Sequence, residues 1–105
     1  MEKRFSKVKV FVRKFDITHF NDVDSLLDDS SKALGGIDTI VVNAGIFDTH
    51  ALGDDDYFKK AKAILDTNLT GPVAVISGFV RYAKKMKIVN PYIVTVSSIA
   101  SAKVF

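Results

Sequence analysis

The sequence predicts an α/β fold: a three-layer structure with a parallel sheet and the element order β-α-β-α-β. Segments rich in β-branched residues alternate with segments whose apolar residues have helical spacing. The segment 37–42 is apolar on both faces, which is typical of a buried parallel strand. Strands that alternate with helices indicate parallel pairing through right-handed crossovers. With 105 residues and no internal repeat or linker, the sequence predicts a single domain over 1–105.

The first predicted strand covers residues 7–15. Its valines at positions 8, 10 and 12 share one face, and basic residues at 7, 9 and 13 occupy the other. This alternation predicts a strand with one face in solvent, as at a sheet edge. The segment Asp16-Ile17-Thr18 ends the strand.

The first predicted helix follows, with Asn21 expected as its N-cap and Asp24 in the first turn. Gly35-Gly36 is expected to end it, because glycine readily adopts the left-handed conformation at a helix C-terminus. The strand 37–42 comes next and is closed by Asn43-Ala44-Gly45.

A long helical stretch is predicted from the three aspartates at 54–56 to the lysines at 84, 85 and 87, charges that suit the two ends of a helix dipole. Its apolar stripe consists of Phe58, Ala61, Leu65, Leu69, Val73, Ile76, Phe79, Val80 and Ala83. The last predicted strand is 92–96, followed by Ser97-Ser98.

Composition and charge exclude several classes of protein. The net charge is +3, but the basic residues near the N-terminus alternate with valines as in a strand, so nucleic-acid binding is not expected. No uninterrupted apolar run approaches the roughly 20 residues of a membrane helix, and no secretory signal is recognisable. The absence of cysteine fits a cytoplasmic protein. His19 and His50 have no partner at ligand spacing, so no metal site is expected.

Small and polar residues follow each of the three predicted strands. They are Asp16-Ile17-Thr18, Asn43-Ala44-Gly45 and Ser97-Ser98. Each cluster has an ordinary structural interpretation as a cap or a turn. The carboxyl ends of parallel strands meet at one sheet edge, where ligands bind in open α/β sheets, so together they predict a binding edge.

Four segments, in order, resemble the middle of a short-chain dehydrogenase/reductase. They are Asp16-Ile17-Thr18, residues 36–46 with Asn43-Ala44-Gly45, Asp66-Thr67-Asn68-Leu69-Thr70-Gly71, and residues 93–100 with Ser97-Ser98. The resemblance implies a partial Rossmann-like fold, NAD or NADP as cofactor, and an alcohol or carbonyl compound as the small-molecule substrate of the full-length enzyme.

The resemblance also implies roles for individual positions. Asp16, with Ile17 beside it, corresponds to the acid at the cofactor's adenine, and Asn43-Ala44-Gly45 to the turn that borders the adenosine. Val42 departs from the family pattern, which usually has asparagine there. Asn68 corresponds to the catalytic asparagine and Ser98 to the serine that hydrogen-bonds the substrate; Ser97 is the weaker match.

Pro72 has two interpretations at this point. Proline has no N–H, so in an α-helix it cannot donate to the carbonyl of Asn68. In the family, that carbonyl holds a water molecule of a proton relay. The alternative is that Gly71-Pro72 simply breaks the helix in two.

Two parts of the family's machinery are absent from these 105 residues. No glycine-rich turn precedes Asp16, and no Tyr-x-x-x-Lys pair is present. We therefore expect the chain alone to bind the cofactor weakly or not at all and to be inactive.

The family strand order would also leave a gap of roughly 14 Å between strands 7–15 and 37–42. The first strand would then move over to pair with 37–42, a partner chain would fill the gap, or the sequence is part of a longer protein.

The open strand edges lead us to expect self-association. An alternative function is a non-catalytic α/β interaction module that self-associates or binds a partner through these edges. A more distant alternative is a small flavodoxin-like or nucleotide-binding domain that uses the same sheet edge.

Overall fold

The computed structural model describes residues 8–45 and 55–96. A short 3-10 turn, Phe20–Asp22, leads into helix α1, Val23–Leu34, and strand β1 is Thr39–Val42. Helix α2, Tyr57–Leu65, continues through a π-helix, Asp66–Thr70, into helix α3, Gly71–Lys85. Strand β2, Tyr92–Thr95, completes the order.

The two strands pair in parallel, as the sequence predicts. Thr39 is opposite Tyr92 and Val42 is opposite Thr95. The ladder extends at both ends, because the Tyr92 N–H donates to the Asp38 carbonyl (2.9 Å) and the Val96 N–H to the Val42 carbonyl (3.0 Å). The connection between the strands runs through α2 and α3, which makes this a β-α-β crossover and confirms the α/β class.

The prediction of a strand at 7–15 is wrong for the residues of this segment that the structure describes. Residues 8–15 form no strand, and the described sheet contains β1 and β2 only. A strand needs a hydrogen-bonding neighbour, and this segment has none within 8–45 and 55–96; nor does it move over to pair with β1. It runs along α1 instead, where Arg13 Nη1 donates to Asp29 Oδ2 (2.9 Å) and Phe15 packs on the core.

The expected burial of both faces of segment 37–42 is also wrong. Ile40 packs on the core and Val42 is 8% exposed, whereas Val41 on the opposite face is 62% exposed. The reason is that α1 and α3 belong to one core cluster on the Ile40 face. In the described residues, the sheet therefore has one helical layer.

The structure confirms the predicted C-terminal end of α1 but not its predicted N-cap. Gly35 ends the helix with a φ of 79°, and its N–H and that of Gly36 both donate to the Ser31 carbonyl (2.9 and 3.0 Å). Asn21 is not the N-cap, because the 3-10 turn that contains it moves the start of the helix to Val23 and the cap to Asp22.

The core is formed where α3 crosses α1. Val23 and Phe79 are each 1% exposed. A Cβ atom on Gly78 would lie 2.5 Å from Val23 Cγ1, so the crossing is close because position 78 is glycine. Tyr82 Oη hydrogen-bonds Ser31 Oγ (2.7 Å) and accepts from the Ile37 N–H (3.1 Å), which attaches α3 to the last turn of α1 and to the segment before β1.

The helical stretch Tyr57–Lys85 is long and apolar enough to cross a membrane, judged by its 29-residue length and composition alone. The sequence did not indicate this as an uninterrupted apolar run, because polar and small residues are dispersed through it. Phe79, Tyr82 and Ala83 of this stretch are buried in the core. Most of the stretch is at least partly exposed, since 17% of its apolar 18-residue window is buried, and a single helix of this kind is weak evidence for a membrane span.

Candidate functional site

The structure brings three of the predicted site segments together at one end of the sheet. The start of α3 packs closely on the segment 16–18. Gly71 has no side chain, and a Cβ atom added to it would lie 2.8 Å from Ile17 Cγ1 and 3.0 Å from the Ile17 carbonyl oxygen. The end of the turn after β1 approaches the π-helix, because a Cβ atom on Gly45 would lie 3.6 Å from Asn68 Oδ1. Gly45, Asn68, Gly71 and Ile17 thus form a continuous edge.

Asp16 begins a tight turn that the chain makes with its own side chain. Asp16 Oδ1 accepts from the Thr18 N–H (2.9 Å) and from the Thr18 hydroxyl (2.7 Å), while the Asp16 carbonyl accepts from the His19 N–H (2.9 Å). The Thr18 hydroxyl, then the Thr18 N–H, lower the pKa of Asp16 below its ordinary value. Asp16 is therefore an ionised, exposed acceptor at neutral pH.

His19 lies between two carboxylates at the same turn. Its Nε2 is 3.8 Å from Asp16 Oδ2, and its Nδ1 is 3.8 Å from Asp22 Oδ2. All three side chains are more than half exposed, so these pairs are loose surface contacts. In the described ranges, no group of three or more His, Asp or Glu side chains is arranged to hold a metal ion.

Asn68 lies in the π-helix, and Pro72 explains where that helix forms. Pro72 has no N–H, and the Gly71 N–H donates to the Asp66 carbonyl, five residues back. This wider turn lets the helix continue from Leu65 into α3, so the interpretation of Gly71-Pro72 as a break between two separate helices is wrong. Single π-turns inside α-helices are frequent at functional sites.

Asn43, Ala44 and Gly45 follow β1 directly and are exposed. Val42, which departs from the family pattern, is buried at the same end of the strand. The core thus accepts an apolar side chain where the family usually has asparagine. Ser97 and Ser98 lie outside the described residues.

Two grooves in the described part of the chain lie away from this edge. One, of about 380 Å³, has Phe79, Ala83, Lys87, Ile88 and Ile93 among its lining residues, and the other, of about 300 Å³, lies between α1 and α3 at Gly78 and Arg81. Neither is lined by Asp16, Asn68 or the turn 43–45.

Sequence reasoning missed the contact between Gly71 and Ile17. The only signal was the glycine itself, placed at a helix junction where glycine is unfavourable unless the backbone must approach another group closely. Gly71 is buried although it lies next to exposed Thr70.

The whole chain, residues 1–105, matches the family model described as short chain dehydrogenase. The chain belongs to the short-chain dehydrogenase family. It is 32% identical over 101 residues to a farnesol dehydrogenase of Aedes aegypti, covering 95% of this chain and 40% of that protein. It is also 30% identical over 76 residues to an uncharacterized oxidoreductase of Mycobacterium tuberculosis, covering 72% of this chain and 30% of that protein.

Two solved structures share the fold of this chain. A short-chain type dehydrogenase/reductase from Mycobacterium marinum superimposes with a TM-score of 0.78 at 29% identity over 88% of this chain. ElxO, solved with NADP bound, superimposes with a TM-score of 0.74 at 24% identity over 89% of this chain. The chain spans 36% of the first structure and 37% of the second. These neighbours confirm the α/β, Rossmann-like fold.

Thr18→Val should raise the pKa of Asp16 toward its ordinary value of 3.8, because the hydroxyl donor to Oδ1 is removed. A carboxyl whose pKa is lowered by folding stabilises the fold above its unfolded pKa, and that contribution disappears as pH falls through the folded pKa. As the pH is lowered, the free energy of unfolding of the variant should therefore decrease less than that of the parent. A carbon-13 NMR titration of the Asp16 carboxyl measures the shift.

Thr39→Val is the matched control, since the Thr39 hydroxyl donates to Asp38 Oδ1 (2.9 Å) away from the candidate site. It should leave the Asp16 titration unchanged. An Asp16 pKa that is the same in the Thr18 variant and in the parent would contradict the assigned turn.

Proposed function

We propose that these residues supply the adenosine side and part of the catalytic edge of a nicotinamide-dependent oxidoreductase that interconverts an alcohol and a carbonyl compound. The observation that carries the proposal is the contact of Gly71 with Ile17, together with the approach of Gly45 to Asn68 Oδ1. It supports a single site because the adenine-side turn, the turn after β1 and the π-helix border one edge.

The residues at this edge fit the adenosine part of NAD or NADP. Asp16 is ionised and exposed, and Oδ1 is already engaged by Thr18, so Oδ2 is the atom available to accept from an exocyclic amine of adenine. Asn43 and Ala44 are exposed at the end of β1, where ligands bind in open parallel sheets.

A bound nicotinamide would supply the hydride chemistry at the carbinol or carbonyl carbon of the substrate. The hydroxyl proton must then leave or arrive through the protein. We assign Asn68, in the π-helix, to the proton relay and Ser98 to the hydrogen bond with the substrate oxygen, as the family resemblance implies. Farnesol is the first substrate to assay, because the Aedes aegypti relative is named for it.

We also propose that residues 1–105 alone do not catalyse turnover. They contain no glycine-rich turn ahead of Asp16, where a helix N-terminus would hold the pyrophosphate, and no Tyr-x-x-x-Lys pair to act as general acid and base. A cytoplasmic location is proposed on the absence of cysteine.

The test compares the purified 105-residue chain with the polypeptide that carries these residues in its native source, whose intact mass is measured first. The chain alone should not change the absorbance of NADH or NADPH with farnesol or farnesal. A native polypeptide of more than twice 11.5 kDa should, and Asn68→Ala in it should lower kcat about 100-fold, because the side chain that lies against Gly45 and holds the relay carbonyl in place is lost.

Asn21→Ala is the matched control, since Asn21 is exposed on the 3-10 turn and has no assigned role. It should leave kcat unchanged. Turnover by the isolated chain would contradict its proposed inactivity, and an unchanged kcat in the Asn68 variant would contradict the role of Asn68.

A second proposal, self-association, is supported by an exposed apolar stripe along α2, the π-helix and α3. Its members are Phe58, Leu65, Leu69, Val73 and Val80, which are 81%, 55%, 58%, 57% and 39% exposed. The stripe is symmetric in sequence, because Phe58 and Val80 each lie 11 positions from Leu69, and Leu65 and Val73 each lie four. This spacing suits a second copy packed antiparallel across a two-fold axis at Leu69.

The charges of the same stretch suit that arrangement. Asp55 and Asp56 precede α2, and Lys84 and Lys85 form the last turn of α3. Antiparallel packing places the acidic end of one copy beside the basic end of the other. This surface differs from the strand edges that the sequence suggested, although the edge of β1 away from β2 is also unpaired in the described residues.

Leu69→Glu should shift the chain from dimer to monomer in light scattering at micromolar concentration, because it places two carboxylates at the symmetry axis. Val89→Glu is the control, since Val89 is 80% exposed and lies outside the stripe. A parent chain that is monomeric would contradict self-association. A Leu69 variant that stays dimeric would contradict the helix surface and favour the strand edge.

A further inference from the structure

Gly71 is buried at the start of α3 with no space for a side chain. A Cβ atom there would meet Ile17 Cγ1 at 2.8 Å, the Ile17 carbonyl oxygen at 3.0 Å and the Asp66 carbonyl oxygen at 3.0 Å. Two of these three atoms belong to backbone, which cannot move aside as the end of a flexible side chain can. The close approach therefore requires glycine at this position.

The groups around Gly71 come from two different parts of the candidate site. Ile17 lies between Asp16 and Thr18, whose hydrogen bonds form the adenine-side turn. Asp66 is the first residue of the π-helix that carries Asn68, and its carbonyl accepts from the Gly71 N–H. One residue thus touches the segment assigned to the cofactor and the segment assigned to catalysis.

We propose that Gly71 is a positioning residue that couples the turn at 16–18 to the π-helix at 66–70, so that one packing contact sets the positions of Asp16 and Asn68 together. The functional meaning of this coupling rests on the proposed oxidoreductase activity. The coupling itself is a property of the folded chain and is measurable without cofactor or substrate.

Gly78 provides a matched comparison on the same helix. A Cβ atom there would meet Val23 Cγ1 at 2.5 Å, closer than any contact at Gly71, but its other neighbours are Arg81 and Leu27 and none belongs to the site. Gly71→Ala and Gly78→Ala therefore introduce the same methyl group into tight packing on α3. They differ in whether the methyl group presses on the turn at 16–18.

The experiment is an NMR study of the 105-residue chain and its variants. Gly71→Ala should move the amide resonances of both 16–18 and 66–70, and it should raise the pKa of Asp16 toward its ordinary value, because displacing Ile17 loosens the hydrogen bonds from Thr18. Gly78→Ala should leave the Asp16 titration and the 66–70 resonances as in the parent, even where it lowers the melting temperature.

Two further variants keep the inference falsifiable if Gly71→Ala does not fold. Ile17→Ala removes the Cγ1 contact without adding an atom, and it should shift the resonances of 66–70 although residue 17 is distant in sequence. Combined with Gly71→Ala in a double variant, Ile17→Ala should bring the Asp16 pKa part of the way back to its value in the parent. This rescue is the coupling that a double-mutant cycle measures. An Ile17 variant whose π-helix resonances equal the parent's would overturn the inference, as would a folded Gly71 variant with the parent's Asp16 pKa.

In the active native polypeptide, the coupling has a kinetic signature. Gly71→Ala should raise the KM for the cofactor and lower kcat together, whereas Thr18→Val should act on the cofactor KM alone. If the NMR coupling is present but the native polypeptide has no oxidoreductase activity, the proposed function fails and the coupling stands. If the activity is present and the coupling is absent, the inference fails alone.

Discussion

The packing of α3 against α1 is the constraint on which the other features depend. Gly78 lets the helix backbone approach Val23, and Tyr82 attaches the same helix to Ser31 and to the Ile37 N–H. These contacts fix the middle and the C-terminal half of α3 against α1 and the segment before β1. The N-terminus of α3 then meets Ile17, and the π-helix before it approaches Gly45. Helix packing thus sets the overall course of α3, and the close contact of Gly71 with Ile17 sets the local geometry of the candidate site.

Local signals in the sequence predicted the features that depend on local physics. Gly35 ends α1 in the left-handed conformation, and the strands at 39–42 and 92–95 pair in parallel with a helical crossover between them. The segment 8–15 alternates as a strand should, yet it forms no strand, because a strand also depends on a neighbour that no local pattern supplies. Val41 is likewise exposed because burial of its face depends on a neighbouring element, and the described helices pack on the opposite face, with Ile40.

The sequence predicted which residues belong to the candidate site but not how they are positioned relative to one another. The strand-end clusters selected Asp16 and Asn43, for which parallel topology implied a shared edge, and the family resemblance added Asn68. The π-helix depends on how a proline is accommodated within a packed helix, and the contact of Gly71 with Ile17 depends on the direction of α3. Ser98, which lies outside the described residues, stays a prediction from the resemblance.

The most direct test is a nuclear Overhauser measurement between the Gly71 Hα protons and the Cγ1 methylene protons of Ile17. The packing described here places a hypothetical Cβ of Gly71 2.8 Å from Ile17 Cγ1, so strong cross-peaks are expected beside those between paired β1 and β2 residues. If the cross-peaks between Val41 and Val94 are present and those between Gly71 and Ile17 are absent, the chain folds without bringing the site together. That result would contradict the account.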